Sequence, residues 1–188
     1  MANDSKPIQR PLFERRTLPE ILQLPRIRPI VAVGAFCLMP NHFHILLQEI
    51  TEGGITQFMR KVGTGYTMYF NIKNARVGNL FVKPFRSKHI DNDAYLRKVA
   101  QYIHLNPAEL FEASWKQGKV KDLRALQKYL IEYPYSSFSA YAEKDRTQKN
   151  ILNNELFSLI NDNLPPIREL LTESTSYYKD LEVSPLSQ

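Results

Sequence analysis

Two histidines flank one phenylalanine in the run MPNHFHILLQE, residues 39–49. In a β-strand, residues i and i+2 share a face, so His42 and His44 project side by side. Neighbouring imidazoles on one sheet face can chelate a single metal ion, or they can make ordinary hydrogen bonds on a polar face. Phe43 and Ile45 then go to the other face, where the core is expected. A second pair lies in QYIHLNP, where Tyr102 and Asn106 are four residues apart. On a helix that spacing stacks them one turn from each other, while His104 points elsewhere. A phenol there can act as nucleophile beside an amide oxygen that helps hold a metal. The same spacing also suits a packed ring and an asparagine that caps the helix end.

These residues need elements to carry them. PIVAVGAFCL (29–38) and HFHILLQ (42–48) read as strands separated by the turn signal MPN, an antiparallel pair. A helix follows from about Ile55 to Ile72, with Ile55, Phe58, Met59, Val62, Tyr66 and Tyr69 at three- and four-residue spacings. That spacing predicts Tyr66 and Tyr69 as core. Gly63 and Gly65 interrupt it, so either the helix breaks there or its backbone lies close to something. VGNLFVKPFRSKHI reads as one or two short strands around a turn. DNDAYLRKVAQYIHLNP is the clearest helix, capped by Asp91, with Leu96, Val99 and Ile103 along its apolar stripe. Pro107 disfavours helical geometry at Asn106 and should end it. VKDLRALQKYLIE and NNELFSLIND are further helices, and STSYYKDLEVSPLSQ reads as a poorly ordered tail.

The expected class is α+β, a small antiparallel sheet with helices packed on it. The expected organisation is an irregular N-terminal segment over 1–28 with one short helix near LPEILQL. A catalytic domain over 29–145 and a helical segment with a tail over 146–188 follow.

Charge placement narrows the partner. Residues 60–98 hold nine basic and only two acidic side chains, a net +7 within a chain whose total is +6. Aromatic residues interleave with them: Tyr66, Tyr69, Phe70, Phe81, Phe85 and Tyr95. Cations for phosphates and rings for bases are what single-stranded nucleic acid requires. A solvated basic face over inward-pointing aromatics has the same composition. The single cysteine, Cys37, lies in an apolar run and reads as a small buried hydrophobe. No apolar run reaches the roughly 18–20 residues that span a bilayer, and the first residues lack a secretory apolar stretch. The expectation is a cytoplasmic, nucleoid-associated protein with no membrane partner.

MPNHFHILLQ, YFNIKNARVGNLF, YIHLNP and YSSFSAY occur in that order. Jointly they resemble the single-tyrosine HUH transposases of the IS200-like family, in particular the REP-associated tyrosine transposase branch, across roughly residues 30–141. The resemblance implies a ferredoxin-like fold. It implies that His42 and His44 bind a divalent metal, Mg²⁺ or Mn²⁺, that Asn106 completes that site, and that Tyr102 is the nucleophile. It further implies cleavage and rejoining of single-stranded DNA beside hairpins through a covalent 5′-phosphotyrosine, by a monomer or homodimer.

Arg60, Lys61, Arg76, Lys83, Arg86 and Lys88 are the candidates for phosphate contacts, on charge and position. One departure from the family stands out: no convincing strand precedes the short N-terminal helix. The sheet then lacks an edge strand, or KPIQRP builds it poorly, since two prolines remove donors. A catalytically impaired, domesticated DNA-hairpin-binding protein is the alternative that such a truncation raises. An unrelated metallohydrolase using only His42 and His44 is a third.

Overall fold

The central element is a strand buried along nearly its whole length, β1 (Val31–Leu38). It pairs with β2 (Phe43–Glu49) as a two-stranded antiparallel sheet. The connection is tight, closed by the Met39 amide donating to the His42 carbonyl at 2.8 Å. Helices α1 (Leu18–Leu22), α2 (Gly54–Lys73), α3 (Asp93–Leu105), α4 (Ala108–Phe111), α5 (Leu123–Glu132), α6 (Phe138–Ala142) and α7 (Asn154–Asn161) complete an α+β fold. The computed structural model describes residues 2–4, 16–81, 84–117, 119–142, 146–162, 165–166 and 168–171. KPIQRP and the tail from residue 172 lie outside the described residues.

The chain divides into two compact units, one of residues 1–32 and 47–89, the other of 33–46 and 90–188. The second holds β1 from Val33 onward, β2 up to Leu46, and helices α3 to α7. Its core gathers Leu105, Ala108, Trp115, Leu126, Leu130, Phe138, Leu170 and Leu171. α5 and α7 begin on side-chain caps from Asp122 and Asn153, each accepting from two amides.

An unpaired strand edge costs about one lost hydrogen bond per buried group, so β1 needs a partner on the side away from β2. It finds several short ones. Asn3 bonds the backbone at Ile30 and Val31, through its amide oxygen at 3.1 and 3.0 Å and its nitrogen at 2.7 Å. The Asn153 amide donates to the Val33 carbonyl at 2.8 Å, and the Tyr141 hydroxyl donates to that of Gly34 at 2.6 Å. The Ser137 amide donates to the Phe36 carbonyl at 2.9 Å and the Leu38 amide to that of Tyr135 at 2.8 Å, framing an antiparallel bridge between Cys37 and Ser136. Among the described residues a patchwork from YPYSSFSAY and two asparagines thus lines this edge of β1.

Several expectations need correcting. VGNLFVKPFRSKHI forms no strand among its described residues. Asn92, not Asp91, caps α3, accepting from the Tyr95 amide at 2.8 Å. Asn106 keeps helical angles, φ −51° and ψ −41°, despite Pro107, because the chain turns directly into α4. Phe43 and Ile45 are only half-buried, whereas Leu46, on the histidine face, is 5% exposed. A Cβ built on Gly34 would meet Leu46 and the α7 side chains Leu156 and Ile160 within 3.4 Å, so the histidine side is the helix-covered side.

The remaining corrections concern the first unit. α2 runs unbroken through Gly63 and Gly65, and nothing lies within 4 Å of a Cβ built on either. Gly54, Phe58 and Met59 bury its first turns, but Tyr66 and Tyr69 are 50% and 57% exposed. At about 1.5 Å per residue a 20-residue helix is long for so small a unit, and its apolar stripe outlasts the core it starts in.

Candidate active site

His42 closes the turn before β2 and is exposed, while His44 lies within β2 and is half-buried. Their rings are neighbours, with centroids 5.1 Å apart and planes at 88°. Side-by-side projection from one sheet face accounts for this. Asn41 fixes His42: its amide oxygen lies 2.7 Å from the imidazole Nδ1. That oxygen can only accept, so Nδ1 carries the hydrogen and Nε2 is the nitrogen left to face a metal. At His44, burial foremost and then His42 push the imidazole pKa down, which keeps it neutral and able to ligate. Lys116 acts in the same direction and Glu109 opposes both. Those last two side chains pair with each other at 2.7 Å.

α3 delivers the phenol. Its N-terminal cap sets the start of the helix, and the buried residues Ala100, Ile103 and Leu105 hold its inner side. The Tyr102 ring packs against the core cluster around Leu105 and Leu126 and meets His44 edge-on, with centroids 5.4 Å apart and planes at 84°. A strand and a helix about sixty residues apart in sequence therefore bring Tyr102 to the histidine pair.

Asn106 is 2% exposed, and its Nδ2 donates to the Tyr102 carbonyl at 2.9 Å. Its amide oxygen is the atom with which Asn106 would ligate a cation. Among the described residues no group of three or more His, Cys, Asp and Glu side chains is arranged to hold a metal ion. The candidate set is two imidazoles and one amide, a donor set that fits Mg²⁺ or Mn²⁺ when water and phosphate oxygens supply the rest.

His104, on the far side of α3, is fully buried against the rings of Phe138 and Tyr141. Its Nε2 lies 2.8 Å from Ser137 Oγ, which also accepts from the Phe36 amide at 2.9 Å. α3 is thereby tied to the backbone of β1.

The candidate phosphate-binding residues all belong to the first unit. Arg60, Arg86 and Lys88 are exposed. Arg76 is exposed too, with its guanidinium donating to the Asn71 side chain at 3.0 Å and the Asn79 carbonyl at 2.9 Å. Lys61 is half-buried and donates to the Asp4 carbonyl, which leaves it less available than its neighbours. Lys83 lies outside the described residues.

Asn41, Glu109, Lys116 and Ser137 had not been singled out from sequence. Asn41 had been read only as part of a turn, although a side-chain oxygen next to a candidate ligand is a usable signal. A cleft of about 270 Å³ lined by Arg124, Gln127, Lys128, Ile131, Glu132 and Arg146 holds none of the candidate residues.

No helix among the described residues is long and apolar enough to cross a membrane. Searches of curated proteins and of solved structures gave no significant match. Residues 20–106, which hold both histidines, Tyr102 and Asn106, match the family model described as transposase IS200 like, and this part of the chain is similar to that family.

Proposed function

We propose that the protein is a metal-dependent endonuclease and strand transferase of single-stranded DNA, cutting beside hairpins through a covalent 5′-phosphotyrosine on Tyr102. The IS200-like family is one of transposases, enzymes that process DNA. Within it, the four sequence blocks in order favour the REP-associated branch. The single observation that carries the reading is the edge contact of Tyr102 with His44, whose other neighbour is His42.

His42, His44 and Asn106 are the residues that would hold Mg²⁺ or Mn²⁺. Such an ion supplies Lewis acidity to a scissile phosphate and favours an ionised phenol nearby. The chain's own part is positional. Packing of the Tyr102 ring against the core fixes the phenol at the histidine pair before substrate arrives, which removes orientational entropy from the barrier. The phenolate oxygen forms a bond to phosphorus as the bond to the 3′ oxygen breaks, and that oxygen leaves as a 3′-hydroxyl after taking a proton. The phosphodiester is conserved as phosphotyrosine, so attack by another 3′-hydroxyl reverses the step on a new strand and frees the phenol.

A hairpin oligonucleotide labelled at its 3′ end, so that the label stays with the fragment whose 5′-phosphate joins Tyr102, incubated with Mn²⁺, tests this. The expected result is a protein–DNA adduct on denaturing gels, absent with Tyr102→Phe. A hairpin that is bound but never cut supports the impaired DNA-binding alternative. Cleavage that survives Tyr102→Phe supports a hydrolase using water.

A further inference from the structure

We infer that the outer half of α2 is a base-stacking platform for a single DNA strand, with Tyr66 and Tyr69 as its main rings. The inference rests on the single-stranded DNA reading for the identity of its occupant, and its other grounds lie in the first unit. Tyr66, Tyr69, Phe70 and Lys73 recur at three- and four-residue spacings, so they share one helix face. Tyr66 is the hub, with ring centroids 6.4 Å from Tyr69, 6.2 Å from Phe70 and 6.3 Å from Phe81. Tyr66 and Tyr69 are nevertheless half or more exposed, and Met68 and Ile72 beside them are 59% and 79% exposed. Large aromatic side chains left this open on a soluble surface mark a site where something docks.

Charge selects the occupant. From Gly53 to Ile90 the sequence has seven lysines and arginines and no aspartate or glutamate. The Lys73 ammonium lies 5.7 Å from the centre of the Tyr69 ring. A second copy of the chain would set this segment, basic and without acidic residues, against itself, and like-charge contact opposes binding. A polyanion that also presents flat π-faces satisfies both features, and single-stranded DNA is that polymer. Duplex DNA offers the phosphates but keeps its base faces stacked away.

The test compares binding of the full-length protein to an oligothymidine and to an abasic oligomer of equal length and charge. Wild type is expected to prefer the oligothymidine by roughly tenfold or more, since stacking one base on one aromatic ring is worth about a factor of ten. The doubly substituted Tyr66→Ala, Tyr69→Ala protein is expected to bind both oligomers alike, at an unchanged melting temperature because the two rings are exposed. Arg60→Gln is expected to weaken both oligomers equally, as loss of a phosphate contact does.

A double variant that keeps the wild-type base preference overturns the inference. So does a wild-type dimer, seen by light scattering, that the double variant dissociates without losing that preference. The readout is binding, so it separates from the reading on which it rests. Wild type that prefers bases but never forms the Tyr102 adduct overturns the transposase and leaves the platform. An adduct formed by a protein with no base preference does the reverse.

Discussion

The Tyr102 ring stands edge-on to His44, with centroids 5.4 Å apart, although the two residues come from different elements and distant parts of the sequence. The contact places a phenol next to a pair of neighbouring imidazoles. His42 is set by Asn41, through the 2.7 Å contact at Nδ1. Metal-bound histidines lose about 10–100-fold in affinity when the group orienting the other ring nitrogen is removed. Asn41→Ala should therefore weaken Mn²⁺ binding by about that factor in calorimetry, with the fold intact because Asn41 is exposed. His42→Ala and His44→Ala should weaken it further, and chelation of the ion should abolish the Tyr102 adduct. Equal Mn²⁺ affinity in wild type and all three variants would rule out the metal centre.

Acid should act on the folded state through His104. Burial pushes its pKa down to about 3, whereas an imidazole in the unfolded chain takes a proton near pH 6.5. Between those values the unfolded chain binds a proton that the folded chain refuses. This contribution to stability is complete above about pH 6.5 and is lost as pH falls toward 3, at about 1.4 kcal/mol per unit. His104→Gln removes the titrating group, so the stability gap between wild type and variant should narrow on acidification. Urea unfolding at a series of pH values measures it, and a gap independent of pH would contradict the assignment.

Much of what is local was legible in the sequence, although the strands expected in VGNLFVKPFRSKHI and the Asp91 cap were not borne out among the described residues. The tight turn at MPN, the strands either side, and the helices that carry Tyr102 and Leu126 all follow from periodicity and caps within a few residues. Two kinds of feature did not. Periodicity shows which residues share a face but not whether anything covers it, so Tyr66 and Tyr69 looked like core and are surface. Contacts between distant segments leave no local trace either: Ser137 reaches Phe36 across 101 positions to complete the edge of β1, and nothing around YSSF announces a strand partner. Of the candidate site, the four residues of the HUH and tyrosine motifs were legible. The side chains that tune them, Asn41, Glu109 and Lys116, were not.

Glycines in α2 should respond in opposite directions to the same substitution. A Cβ on Gly54 would lie 2.2 Å from the Ile30 carbonyl oxygen, so Gly54→Ala must push the helix off the backbone it starts against. It should destabilise by about 1–3 kcal/mol, the usual cost of overpacking. Gly63→Ala and Gly65→Ala have open space and helical backbone, and each should stabilise by about 0.5–1 kcal/mol. Denaturant melts of the three single variants decide this. Destabilisation by either outer alanine would show that something in the folded chain approaches those glycines.

Two serines two residues apart make the sharpest comparison. Ser137 and Ser139 are both buried, at 0% and 3% exposure. Ser137 Oγ accepts from the Phe36 amide at 2.9 Å, stands 2.8 Å from His104 Nε2 and 3.2 Å from the Phe36 carbonyl oxygen. Ser137→Ala therefore leaves two buried groups, the Phe36 amide and His104 Nε2, without this partner, at about 1–3 kcal/mol each. Ser139 Oγ, by contrast, has no hydrogen-bond partner among the described residues. Its burial is already uncompensated, so Ser139→Ala should leave stability unchanged or raise it. Because the groups left without a partner include the anchor of the tyrosine-bearing helix, Ser137→Ala should also slow adduct formation under saturating DNA, and Ser139→Ala should not. Thermal melts and single-turnover cleavage of the two variants give both readings, and equal behaviour of the pair would refute the link from β1 through Ser137 and His104 to α3.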